Sequence, residues 1–125
     1  MNRFLRTGAA VAVCLVLCAC GDDPGDETAQ AACKAYGDTT SGATIGPAVR
    51  ATALERAQRA GEANGAYAAL AGDIADAWKR ADAMATAHNG GQQVSAHELD
   101  AYFGADRRVR QDCADAGADI GPSEP

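Results

Sequence analysis

Residues Tyr67 to His88, YAALAGDIADAWKRADAMATAH, decide the fold of this chain. Tyr67, Leu70, Ile74, Ala77, Ala81, Met84 and His88 recur on alternating steps of three and four. That spacing draws one apolar stripe along an α-helix, whose period is 3.6 residues. Trp78 flanks the stripe, while Asp73, Asp76, Lys79, Arg80 and Asp82 lie largely off it. Asn89-Gly90-Gly91 supplies a strong stop.

Beyond that stop, Ser95 and Glu98 form a capping box, in which each satisfies an orphan amide at the start of the next helix. Val94 and Leu99 stand where a hydrophobic staple crosses such a cap. Leu99, Tyr102, Phe103, Val109 and Cys113 define this helix's buried face, which fades between Asp115 and Gly117 before a polar tail, 118–125. On the other side, Pro47 suits the first position of a helix, where its missing N–H is not needed. Val49, Ala53, Ala57 and Ala60 follow on one stripe with Leu54 and Gly61 beside it, and Arg50, Glu55, Arg56 and Arg59 form a solvated face. Asn64-Gly65 ends this helix with a pair that tolerates left-handed backbone.

Farther upstream, Thr39 to Gly46 reads as an irregular loop rich in Thr, Ser and Gly. Before it, Ala29, Ala32, Cys33 and Tyr36 predict a short helix that Gly37-Asp38 should stop. No segment alternates strictly between apolar and polar residues, so strands have no support. The expected fold is all-α: a small three- to four-helix antiparallel bundle over 29–117, with three main helices and the short N-terminal one laid across them.

The N-terminus carries a different signal. Met1 to Arg6 holds Arg3 and Arg6 and no acid, an apolar run extends from Gly8 to Ala19, and Gly21-Asp22-Asp23 opens a polar segment. A basic start, a short apolar run and small residues at its end describe a secretory signal. The run falls short of the roughly 20 residues that span a bilayer. Leu17-Cys18-Ala19-Cys20 resembles the lipobox of bacterial lipoproteins, with Leu at minus three, a small residue at minus one and the Cys itself.

That resemblance implies cleavage of 1–19 and a diacylglyceryl thioether on Cys20; in the family the new amine is often acylated as well, with palmitate a common acyl group, and the sequence leaves that second step open. Cys18 would put Leu17 immediately before the cut, and Cys14 has only apolar sequence behind it, so both fit worse. An ordinary secretory signal cut nearby is the competing reading; it would leave Cys20 as a free thiol in a soluble protein. The remainder resembles small Ala-rich actinobacterial lipoproteins of unassigned function. Two acyl chains at about 0.8 kcal/mol per buried methylene hold a protein stably on a membrane.

Loss of 1–19 from the 125 residues leaves 106, enough for one small domain. Arg3 and Arg6 go with the signal, so 9 basic side chains face 17 acidic ones, a formal charge of −8 with neutral histidines. This balance excludes a nucleic-acid footprint and electrostatic adhesion to anionic lipid, leaving the lipid anchor as the membrane attachment. The acidic tether, 20–28, contains Pro24 and Gly25 and should keep the domain close to the bilayer. With Cys14 and Cys18 in the signal and Cys20 assigned to lipid, Cys33 and Cys113 remain as a pair in an oxidising compartment, expected to form a disulfide. Metal binding by these two cysteines, with no Cys or His at ligand spacing, is the weaker alternative.

No residue pattern announces catalysis. His88 and His97 are the only histidines, and His97-Glu98 lacks the second His that a zinc-protease helix places where Ala101 stands. Ser41, Ser95 and Ser123 lie in a loop, at a cap and in the tail, without a base and orienting group in any recognisable motif. The acids spread along solvated faces, and Arg107, Arg108 and Arg110 with Asp106 and Asp112 read as one more such face, an acidic partner's docking site being the minor alternative. Trp78, Tyr67, Tyr102 and Phe103 are expected in the core.

These features predict a non-enzymatic lipoprotein on the extracytoplasmic face of the cell membrane, with an envelope protein as partner, no nucleic acid, no metal and no cofactor. The alternatives are a phage or prophage superinfection-exclusion lipoprotein and a bundle that binds a small apolar ligand. An enzyme would need a polar pocket that the linear sequence conceals.

Overall fold

Alanine seams and well-placed caps give four helices in the computed structural model, which describes residues 23–40 and 46–122. They are α1 (Asp26–Thr40), α2 (Pro47–Ala63), α3 (Leu70–Asn89) and α4 (Ala96–Asp115), with one 3₁₀ turn, Gly65–Tyr67, between α2 and α3. Among the described residues there is no strand, and no helix is long and apolar enough to cross a membrane. The lipobox, the Ser41–Ile45 part of the first loop and Ser123 lie outside the described residues.

Helix α1 is longer than its sequence predicts and lies along α2 instead of crossing the bundle. It runs through Gly37-Asp38, although glycine within a helix costs about 1 kcal/mol relative to alanine. Tertiary packing explains this glycine: a Cβ there would lie 3.3 Å from the Ile120 side chain, so its absence lets the C-terminal segment close onto α1. Ala118 and Ile120 both pack against the core, within the stretch read as a polar tail.

Helix α2 starts at Pro47 as expected and buries Ala53, Ala57 and Ala60. Val49, placed on the same stripe by spacing, is 48% exposed because the stripe leaves the bundle in the first turn. The Asn64-Gly65 turn uses no left-handed residue. Asn64 is extended, at φ −146°, and its side chain accepts from the Ala66 amide at 3.0 Å, starting the 3₁₀ turn that carries Tyr67. Tyr67 therefore precedes α3 instead of heading its stripe.

Helices α3 and α4 end by the same device. After α3, the Gln92 amide donates to the Ala87 carbonyl at 2.8 Å and the Gly91 amide to His88 at 3.1 Å, with Gly91 at φ +75°. After α4, Ala118 donates to Cys113 at 2.8 Å and Gly117 to Ala114 at 3.0 Å, with Gly117 at φ +81°. This paired closure satisfies orphan carbonyls and needs a left-handed residue, which glycine supplies without a Cβ clash. At the start of α4 both bonds of the Ser95–Glu98 capping box are present.

The helices pack in chain order around one core, α1 on α2, α2 on α3, α3 on α4 and α4 back on α1. Tyr36, Leu70, Ile74 and Val109 are its largest fully buried side chains, Trp78 and Tyr67 are nearly so, and alanines fill much of the rest. With so little apolar area per residue, covalent closure weighs heavily in the stability. Cys33 of α1 and Cys113 of α4 form the disulfide, with Cα atoms 5.7 Å apart and 80 residues enclosed.

Candidate functional site

The buried polar chemistry lies along α4, on both sides of the disulfide. One helical face above Cys113 is Asp106, only 2% exposed, where sequence spacing assigned it to a solvated face. Its Oδ1 accepts from the Tyr36 hydroxyl at 2.5 Å and its Oδ2 from Arg110 Nε at 2.8 Å. Burial, then the hydrogen bond to Asp106, pushes the Tyr36 hydroxyl far above the ordinary tyrosine range. Arg110 Nη1 continues to the carbonyls of Ile120 and Gly121 at 2.9 and 3.0 Å, fastening the returning C-terminal segment. Each partner's charge or polarity is thus answered inside the fold, as buried groups require.

The three arginines that form one cluster in sequence diverge in space. Arg107 is exposed, Arg110 turns inward, and Arg108 crosses to α3, 3.1 Å from Asp76 and 3.6 Å from Asp73. Beside it the α3–α4 interface sets Asp73 to act on the Asp112 carboxyl, two acids that helical periodicity did not pair. Burial first, and then Asp73, pushes Asp112 up to about 7, against the lowering effect of Arg108. Neither acid alone signals this; only the α3–α4 register does.

The base of the bundle receives the chain. Asp26 accepts from the Tyr67 hydroxyl, which this bond and then burial push up to about 12. Gly25, at φ +85°, lies so close to α2 that a Cβ would meet the Ala60 carbonyl at 3.0 Å. The opposite end is more open. Thr39, near the end of α1, accepts from Trp78 Nε1 at 3.0 Å, and Arg50, in the first turn of α2, lies 5.2 Å over the Trp78 ring and binds both Asp82 oxygens at 2.9 Å. Helix α3 continues for seven residues past Asp82, about 10 Å at 1.5 Å per residue.

On this projecting end the apolar stripes persist without deep burial. Met84, Tyr102 and Phe103 are half-buried and Leu99 is 39% exposed. Tyr102 and Phe103 contact each other with ring centroids 5.3 Å apart. Of the four aromatics expected in the core, Trp78 and Tyr67 are there and these two stand at its edge. A groove between α3 and α4 beside them is lined by Asp76, Lys79, Arg80 and Glu98 around Ala83 and Met84, a charged lining instead of an apolar one.

His88 and His97 are both exposed, at the end of α3 and the start of α4. Among the described residues no three side chains of His, Cys, Asp or Glu converge on a position that could hold a metal ion. Ser95 is engaged in the capping box. The chain matches no protein-family model, no curated protein and no solved structure.

Proposed function

We propose that this chain is a lipid-anchored protein of the extracytoplasmic membrane face, whose helical domain is a non-enzymatic interaction module. It is held at Cys20 and meets another envelope protein through the projecting end of the α3–α4 hairpin. The observation that carries this reading is the polarity of the domain. The tether arrives at the base, beside Ala60 and Tyr67, and α3 leads from there over 20 residues, about 30 Å, to Asn89. Apart from Val49, in the first turn of α2, the large side chains with apolar surface to spare include Leu99, Phe103, Tyr102 and Met84, at that far end. An anchor at the base holds them away from the bilayer.

Two measurements test the two halves of the reading. Cys20→Ala should move the protein from the membrane fraction to the soluble fraction and abolish incorporation of a labelled fatty acid; unchanged fractionation sinks the anchor. A photocrosslinking side chain placed at Leu99 should give a defined protein adduct in the intact native envelope, and one at Gln58, on the exposed face of α2, should not. Equal adducts from both positions, or none from Leu99, sink the interaction surface.

A further inference from the structure

The stretch from Ala118 to Gly121 lies between α1 and α4 in the manner of a bound ligand. It follows the Gly117 turn and belongs to no helix. Ala118 and Ile120 are partly covered against the core and Asp119 between them is exposed, the alternation of an extended peptide laid on a surface. The cleft grips one branched side chain and the main chain. Ile120 is seated over Gly37, where a Cβ would come within 3.3 Å of the Ile120 Cβ and Cγ2. Arg110 Nη1 donates to the Ile120 and Gly121 carbonyls at 2.9 and 3.0 Å. Any extended segment with a branched aliphatic residue at the right place offers the same groups, main-chain carbonyls for affinity and one side chain for selection.

The seat is built from parts that do not depend on its occupant. Arg110 Nε is bonded to Asp106 Oδ2 at 2.8 Å, and Asp106 Oδ1 to the Tyr36 hydroxyl, so the guanidinium stays aimed when the carbonyls leave. Gly37 lies one helical turn past Cys33, and Arg110 lies three residues before Cys113. The disulfide therefore ties the two walls together one turn from the seat, with Cα atoms 5.7 Å apart. A site held open in this way binds without first having to be ordered. The resident segment also leaves part of the cleft unfilled. Open space remains between it and α1, lined by Gln30, Lys34 and Asp38 of α1 and by Ala118 and Asp119.

We propose that the α1–α4 cleft is a binding site for an extended peptide segment of a partner protein carrying a branched aliphatic residue, and that the C-terminal segment of this chain occupies it in cis as a displaceable stand-in. The partner's aliphatic side chain replaces Ile120 over Gly37, and two of its carbonyls replace those that Arg110 holds. A second copy is the poorer source of that segment, because each copy already seats its own and every copy is net acidic. Held through Gly117, the segment competes at an effective concentration on the order of millimolar, so only a tighter or locally concentrated partner displaces it. The cleft belongs to the four-helix part, and its occupancy does not depend on what meets the projecting end.

The test uses the full-length protein in detergent and a fluorescent peptide with the sequence of residues 117–122, blocked at both ends. Ile120→Ala empties the seat and leaves its walls intact, whereas Gly37→Leu fills the seat with a side chain that helices favour. The peptide should bind Ile120→Ala with a Kd below about 1 mM, the scale set by the segment's effective concentration in cis. It should bind the unaltered protein at least about tenfold more weakly, because there the segment competes. It should not bind Gly37→Leu, and a peptide carrying Ile120→Asp should not bind Ile120→Ala. Failure to bind Ile120→Ala, equal binding to the unaltered protein, or binding to Gly37→Leu overturns the proposal. Thermal unfolding distinguishes a stand-in from a part of the fold: Ile120→Ala should keep a cooperative transition, and its loss overturns the proposal. Sedimentation gives the last arm. The unaltered protein should be monomeric, and a dimer that Gly37→Leu dissociates would place a second copy's segment in the seat and overturn the assignment to a partner.

Discussion

Between Leu70 and Trp78, α3 buries four residues, whereas between Ala81 and Asn89 it buries none fully. Helix α4 shows the same division, with Ala105, Asp106, Val109 and Cys113 buried and no residue before Ala105 fully buried. The apolar spacing does not change across this boundary. What changes is cover: α1 ends and α2 begins level with Trp78 and Asp82, so among the described residues the four-helix part has neighbours on every inner face and the projecting end has two helices alone. A stripe in sequence states which side chains can be buried; the length of the partner helices states which of them are.

The sharpest way to break the four-helix part is through its staple. Cys33→Ser, or Cys113→Ser, opens a loop of 80 residues, which the chain-entropy model values at about 4–5 kcal/mol. That approaches the entire stability of many small domains. Thermal unfolding of the variant, and of the unaltered protein with and without reductant, should show a large fall in Tm; equal midpoints would assign the stability to the helix seams instead.

The next largest effect is expected from Asp106. Asp106→Ala leaves the Tyr36 hydroxyl and the Arg110 guanidinium without their shared acceptor in a buried site, which costs about 3 kcal/mol. Tyr36→Phe removes one donor, leaves Arg110 paired with Asp106, and should cost about 1 kcal/mol. Denaturant unfolding of both variants measures the difference. Two equal losses would mean that Arg110 finds other partners without Asp106, and the C-terminal clamp through Ile120 and Gly121 would then have to survive by another route.

How far the sequence reveals this depends on the range of each interaction. The all-α class, the capping box, the Gly90-Gly91 stop and the Cys33–Cys113 pair are written within single helices or follow from counting thiols, and each appears in the structure. Contacts between helices are less legible. Asp106 sits three positions from Val109 and seven from Cys113, on their face, yet its carboxylate chemistry reads as solvent-facing until Tyr36 is known to lie opposite. Gly37 reads as a stop because the chain that closes over it, at Ile120, is 83 positions away. The Asp73–Asp112 pair depends on the register of α3 against α4, which no local pattern specifies.

Two leucines measure the contrast between the regions with the chemistry held constant. Leu70 is 1% exposed in the four-helix part and Leu99 is 39% exposed on the projecting end. Leu70→Ala removes buried methyl groups and leaves a cavity that close-packed neighbours fill only in part, at a cost of about 3 kcal/mol. Leu99→Ala loses only the covered fraction of its side chain, and solvent occupies the space without a cavity, so the expected cost is below about 1 kcal/mol. Denaturant midpoints at unchanged slope separate the two. Equal losses would show that the projecting end is as tightly closed as the base, removing the exposed surface on which the interaction reading stands. A near-silent Leu99→Ala that also abolishes the envelope adduct, with the crosslinker moved to Tyr102, would show that this leucine serves the partner more than the fold.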